Sequence, residues 1–140
     1  STAELLLYAA ARSQLVNTQI RKYIESGILV IADRYADSTT AYQGYGRGID
    51  LGLIKTINNI ATDGVIPDKT FVLDLEPSTA QKRLQGTKDR LELAGLEFFD
   101  RVRNGYLQIA KDEYPRTVII DASRPLRDVF EDVLMELGVN

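Results

Sequence analysis

The 140-residue chain contains no cysteine. Disulfides, thiolate nucleophiles and zinc–thiolate sites are therefore excluded. It contains no histidine either, which removes the usual general base and the commonest metal ligand. No apolar run approaches the roughly 20 residues that span a bilayer, and no signal peptide is evident, so the cytoplasm is the expected location and no membrane partner is expected. There is no basic excess: 17 Lys+Arg against 20 Asp+Glu give a net charge of −3. A polyanion-binding surface should be basic, so no nucleic-acid partner is expected. A Gly-x-x-x-x-Gly-Lys-Ser/Thr phosphate loop is also absent. Any chemistry must run on carboxylates, arginines, lysines and hydroxyls, with Mg2+ as the metal that suits such donors. The remaining composition, 44% hydrophobic and 26% charged, is that of a globular domain, and the length suits one domain over residues 1–140.

Apolar periodicity gives alternating helices and strands. Leu5, Ala9, Val16, Ile20 and Tyr23/Ile24 recur at helical spacing from Thr2 to Ser26, and Gly27 is a good terminator. Ile28–Ala32 is a continuous β-branched and apolar run, as for a strand covered on both faces. Ala36–Gly44 reads as helix, broken by Gly44, Gly46 and Gly48. Asp50 is placed to cap a helix carrying Leu53, Ile54, Ile57, Ile60 and Ala61. Thr70–Leu75 is a second strand, followed by a helix from Pro77 over Ser78–Leu84. A polar, basic stretch leads to a helix with Leu96, Phe99, Val102, Tyr106 and Ile109 on one stripe. Thr117–Ile120 is a third strand, and Pro125 opens a last helix with Val129, Val133, Leu134 and Leu137 inward. Alternation of this kind implies an α/β fold with a parallel sheet flanked by helices. Three strands are few for such a sheet, and the chain reads as the later part of a larger domain.

The run Asp33-Arg34-Tyr35-Ala36-Asp37-Ser38-Thr39-Thr40-Ala41-Tyr42-Gln43-Gly44 follows the first apolar strand. Ligands bind at the carboxyl edge of open α/β sheets. An arginine there can clamp a phosphate while the adjacent carboxylate holds Mg2+ or polarises an acceptor. The bland alternative is a structural ion pair, which the dipeptide alone would favour; Ser38, Thr39, Tyr42, Gln43 and the glycine-rich exit weigh toward a site. Tyr8 and Arg12 share a helical face and suit a nucleobase, one by stacking and one by hydrogen bonding, although a tyrosine is more often core and an arginine more often a solvated surface residue. Arg83, Lys88 and Arg90 form either a mobile cationic lid over a phosphoryl group or a solvated basic loop. Asp74 and Glu76 read as turn acids. Ser123 and Arg124 either line a base pocket or cap a helix.

Taken together, Tyr8-Ala9-Ala10-Ala11-Arg12, Asp33-Arg34-Tyr35 through Gly44, Gly46-Arg47-Gly48, Asp89-Arg90-Leu91-Glu92, Phe98–Tyr106 and Asp121-Ala122-Ser123 resemble the thymidylate kinase family. The resemblance covers nearly the whole chain in order. It implies a P-loop nucleoside-monophosphate-kinase-like fold and transfer of the ATP γ-phosphoryl group to dTMP with Mg2+. It also implies roles: Tyr8 stacks on thymine, Arg12 meets the thymine carbonyl, Arg34 holds the dTMP phosphate and Asp33 organises Mg2+. By the same resemblance Ser38, Thr39, Tyr42 and Gln43 line the base and sugar pocket, Arg83, Lys88 and Arg90 belong to a lid of about residues 83–96, and Ser123 and Arg124 lie near adenine. Homodimers are common in the family.

The resemblance is to a family whose members begin with a strand, a phosphate loop and an Arg-Glu-Pro segment, and these 140 residues contain none of them. The chain is therefore expected to be a fragment, inactive alone. Its Ile28–Ala32 and Thr70–Leu75 strands would lack the strand between them, a gap to be covered by self-association or a rearranged sheet. The competing reading is a non-catalytic thymidine-nucleotide-binding or interaction module of the same fold; a purely structural domain is a third.

Overall fold

A computed structural model describes residues 2–83 and 95–139. The chain packs as two compact units, Ser1–Pro67 and Asp68–Asn140.

In the first unit, α1 (Thr2–Leu15) passes through a π-helical turn (Val16–Ile20) into α2 (Arg21–Glu25). Leu5, Ala9, Val16 and Ile20 are buried, as their spacing predicts, whereas Tyr23 and Ile24 stay exposed. Arg12 falls on that same buried stripe. Gly27, at φ 71°, ends the helix: its amide donates to the Ile24 carbonyl and the Ile28 amide to that of Tyr23, both at 2.9 Å, a left-handed closure that glycine adopts without Cβ strain. Helix α3 (Ala36–Thr39) widens into a π-helical segment (Thr40–Gly46), and α4 (Leu51–Thr62) follows. Asp50 caps α4, its Oδ1 accepting from the Leu53 amide at 2.8 Å. Helix α4 packs on α1 and buries Ile54, Asn58, Ala61 and Thr62. Leu53 and Ile60, expected inside, are exposed.

Ile28–Ala32 is not a strand. Leu29 and Ile31 are 83% and 89% exposed. A strand that is apolar on both faces is stable only when neighbours supply its hydrogen-bond ladder and helices cover its faces. No described strand pairs with this segment, and Ile28, Leu29 and Ile31 are left exposed.

In the second unit, β1 (Thr70–Asp74) and β2 (Thr117–Asp121) pair in parallel, with Thr70 opposite Thr117 and Asp74 opposite Asp121. The described sheet has these two strands instead of three. Helix α5 (Pro77–Arg83) leaves β1, α6 (Leu96–Asp112) packs on both strands, and α7 (Leu126–Glu136) packs on β2. Phe98, Val102, Ile109 and Val129 are buried, but Leu96 is exposed, and so is Leu137, which lies at the end of α7 beyond its last turn. No helix among the described residues is long and apolar enough to cross a membrane.

Leu5 is fully buried. Leu5→Ala is therefore expected to destabilise the chain by about 2–5 kcal/mol. Ile31→Ala should change stability by less than about 0.5 kcal/mol, as for an exposed position. Urea unfolding of the two variants checks both values; a large loss at Ile31 would show that residues 28–32 are packed.

Candidate functional site

Arg12 sits at the centre of the first unit's polar interior. Its Nη2 donates to the Thr39 hydroxyl at 2.8 Å and to the Tyr35 carbonyl at 3.0 Å, and its Nη1 donates to Asn58 Oδ1 at 3.3 Å. The guanidinium also lies over the Tyr35 ring, 5.5 Å from its centroid. All three acceptors are neutral. Burial lowers the Arg12 pKa from its ordinary value, against the opposing influence of Tyr35 and Asp37. A half-buried cation satisfied only by neutral oxygens keeps its charge available for a ligand. The Tyr35 phenol is pushed upward by burial, partly offset by Arg12 and Arg21, and its hydroxyl donates to the Val65 carbonyl at 3.1 Å.

Arg34 takes the left-handed conformation at φ 69°. That region disfavours residues with a Cβ, and such strain concentrates at functional sites. Its exposed guanidinium stacks over the Tyr42 ring at 5.0 Å and donates to the Tyr42 hydroxyl at 3.3 Å. Tyr42 comes from the π-helical segment, a widened turn of a kind that recurs at functional sites.

Pairing separates the arginines. Arg21, Arg47, Arg103, Arg116, Arg124 and Arg127 each pair with a carboxylate. Arg12 and Arg34 of the first unit, and Arg83 of the second, pair with none among the described residues. Asp33, beside Arg34, is exposed and its carboxylate has no partner among the described residues. No cluster of three or more possible metal-ligating side chains occurs there. A lone carboxylate still fits Mg2+, which is commonly held by one or two carboxylates together with substrate phosphates.

The structure thus joins Arg12 to Thr39 and Arg34 to Tyr42. Tyr8 lies one turn before Arg12 and is half-exposed, an open aromatic face, while Ser38 is half-buried in α3. Gln43 is buried, its amide donating to Glu4 Oε1 at 2.8 Å. It ties α1 to the π-helical segment, and that nitrogen is engaged with the protein.

In the second unit, Arg83 donates to the carbonyls of Ala122 and Ser123, at 3.0 and 3.1 Å. The Ser123 amide donates to Asp121 Oδ1 at 2.9 Å; hydrogen bonding from the Ser123 side chain first, and from this amide second, depresses the Asp121 pKa. Arg124 is bound to Asp132. Lys88, Arg90 and most of the expected lid lie outside the described residues. Asp74 and Glu76, read as turn acids, both engage Arg103 of α6; Asp74 accepts from its Nε at 2.7 Å and from Nη2 at 3.0 Å. Asn58, Glu4 and Arg103 escaped the sequence reading. Asn58 alone carried a usable signal: it occupies the α4 stripe between Ile54 and Ala61, where a polar side chain needs partners.

Residues 1–133 match the thymidylate kinase family model. The chain belongs to the thymidylate kinase family. It is 47% identical to a thymidylate kinase of Pelodictyon phaeoclathratiforme over 146 residues, covering 96% of this chain and 67% of that one. Identity to a thymidylate kinase of Carboxydothermus hydrogenoformans is 46% over 133 residues, covering 94% and 64%. The crystal structure of thymidylate kinase from Ehrlichia chaffeensis superposes with a TM-score of 0.78 at 34% identity, over 99% of this chain and 65% of that one. The chain thus spans about two thirds of the length of these thymidylate kinases. Its α/β architecture, a parallel sheet flanked by helices, is that of the family.

The Arg34 strain is open to measurement. Arg34→Gly and Arg34→Ala both remove the stack on Tyr42, but only glycine relieves the left-handed backbone. Urea unfolding should find the glycine variant more stable than the alanine variant by about 1 kcal/mol. Equal stabilities would mean that residue 34 is not held at positive φ in solution.

Proposed function

We propose that the first unit is the dTMP-recognising part of a thymidylate kinase, which transfers the ATP γ-phosphoryl group to dTMP. The observation that carries the reading is the pair of first-unit arginines left without carboxylates among the described residues, one half-buried among neutral acceptors and one on a strained turn. In this reading Arg12 directs its remaining N–H groups to a thymine carbonyl, with Tyr8 stacking on the base. Arg34 binds the dTMP phosphate through charge-assisted hydrogen bonds. Ser38, Thr39, Tyr42 and Gln43 shape the walls. Asp33 would hold Mg2+, which when bound neutralises phosphate charge. Arg83, Lys88, Arg90, Ser123 and Arg124 are assigned to the ATP side, where cations offset charge developing on the transferred group. For Arg83 this requires release of the carbonyls of Ala122 and Ser123.

These 140 residues contain no phosphate loop, so the chain alone is assigned nucleotide recognition without turnover. A cytoplasmic location and self-association belong to the same reading.

Isothermal calorimetry with dTMP tests recognition. The wild-type chain should bind, and Arg34→Ala should weaken binding by about 1.5–3 kcal/mol, the value of a hydrogen bond to a charged group. An unchanged affinity would remove Arg34 from the phosphate site. Turnover of ATP and dTMP by this chain alone would overturn the assignment of recognition without catalysis.

A further inference from the structure

Asn58 is 8% exposed and serves three partners from the middle of α4. Its Nδ2 donates to the Ala36 carbonyl at 3.2 Å and to the Thr40 hydroxyl at 3.1 Å, while its Oδ1 accepts from Arg12 at 3.3 Å. Both amide hydrogens are used. One side chain therefore fixes Arg12 of α1 against the start of α3 and the residue that begins the π-helical segment. Ala36 directly follows the Arg34–Tyr35 turn, so the same amide anchors the backbone that carries Arg34.

The chemistry of an amide is suited to this place. Alanine would remove the acceptor of Arg12 Nη1 and one donor to the Ala36 carbonyl, which keeps the Thr40 amide and hydroxyl. Aspartate would turn an oxygen toward the Ala36 carbonyl and neutralise Arg12. Asparagine alone donates to the turn, accepts from the guanidinium and leaves its charge intact. Five N–H groups radiate from an arginine, and three bonds to the protein leave Nε–H and one Nη1–H. Their direction is set by the three acceptors, of which Asn58 is the only one outside the Tyr35–Thr39 turn.

We infer that Asn58 is a positioning residue for base selection: through Arg12 it aims donors at a pyrimidine 4-carbonyl and so disfavours a 4-amino group. The inference rests on the dTMP reading above. A double-mutant cycle on the whole 140-residue chain tests it, with Arg12→Ala, Asn58→Ala and the double variant titrated with dTMP and dCMP by calorimetry. Urea unfolding confirms that each variant is folded, and Asn58→Asp, nearly isosteric, replaces the alanine variant in the same cycle if that one is not.

Wild-type protein should prefer dTMP. Asn58→Ala should weaken dTMP binding by about tenfold, the scale of one hydrogen bond to a charged group, and leave dCMP binding unchanged. In the Arg12→Ala background the Asn58 substitution should have no further effect. An equal loss for both nucleotides, or additive losses in the cycle, would overturn the inference and reduce Asn58 to a packing role. Wild-type protein that binds neither nucleotide would overturn the reading beneath it, and this inference with it.

Discussion

The structure of the first unit depends on one desolvated guanidinium. Burying a cation is costly unless its donors are satisfied. Arg12 meets that requirement with a hydroxyl, a backbone carbonyl and an amide oxygen. Each acceptor comes from a segment that must then stay in place: α3, the turn before it, and α4. A carboxylate would have satisfied Arg12 more strongly, but it would also have cancelled the charge. The protein instead keeps a rigid, positively charged group whose unused donors point in a fixed direction. Preorganisation of this kind lowers the cost of ordering a side chain on binding.

In the second unit two arginines are held by carboxylates instead. Arg103 is clamped by Asp74 and Glu76, and these carboxylates raise its pKa further above the ordinary arginine value. Arg124 is likewise held by Asp132. Cations paired in this way fasten β1 to α6 and the exit of β2 to α7. In the first unit the contrast between arginines paired with carboxylates and those without them does not follow exposure, since Arg12 is half-buried and Arg34 is exposed.

Much of this was legible in the sequence, because it depends on local chemistry. The stripe Leu5, Ala9, Val16 and Ile20, the Asp50 cap, the Gly27 terminator and the strands at Thr70 and Thr117 follow from periodicity and backbone preference. The Asp33–Gly44 run and the Tyr8/Arg12 face were visible as well. What escaped depends on partners distant in sequence. Ile28–Ala32 has the composition of a buried strand, but strand formation needs a neighbouring ladder, which composition does not encode. The place of Asn58 on the α4 stripe calls for partners, but only the fold identifies them as Arg12, Ala36 and Thr40. Asp74 and Glu76 became ion-pair acceptors only when α6 brought Arg103 back to the end of β1. The two π-helical segments were read as ordinary helix, since one extra residue per turn leaves little trace in an apolar pattern.

The central claim is that Arg12 and the Arg34 turn form one nucleotide site. Titration of the isotopically labelled chain with dTMP, followed through amide chemical shifts, addresses it most directly. The account predicts saturable shifts concentrated at residues 8–12, 33–43 and 58, at the same dTMP concentration throughout. Shifts that are absent, or that saturate while sparing both Arg12 and the Asp33–Gln43 run, would contradict it.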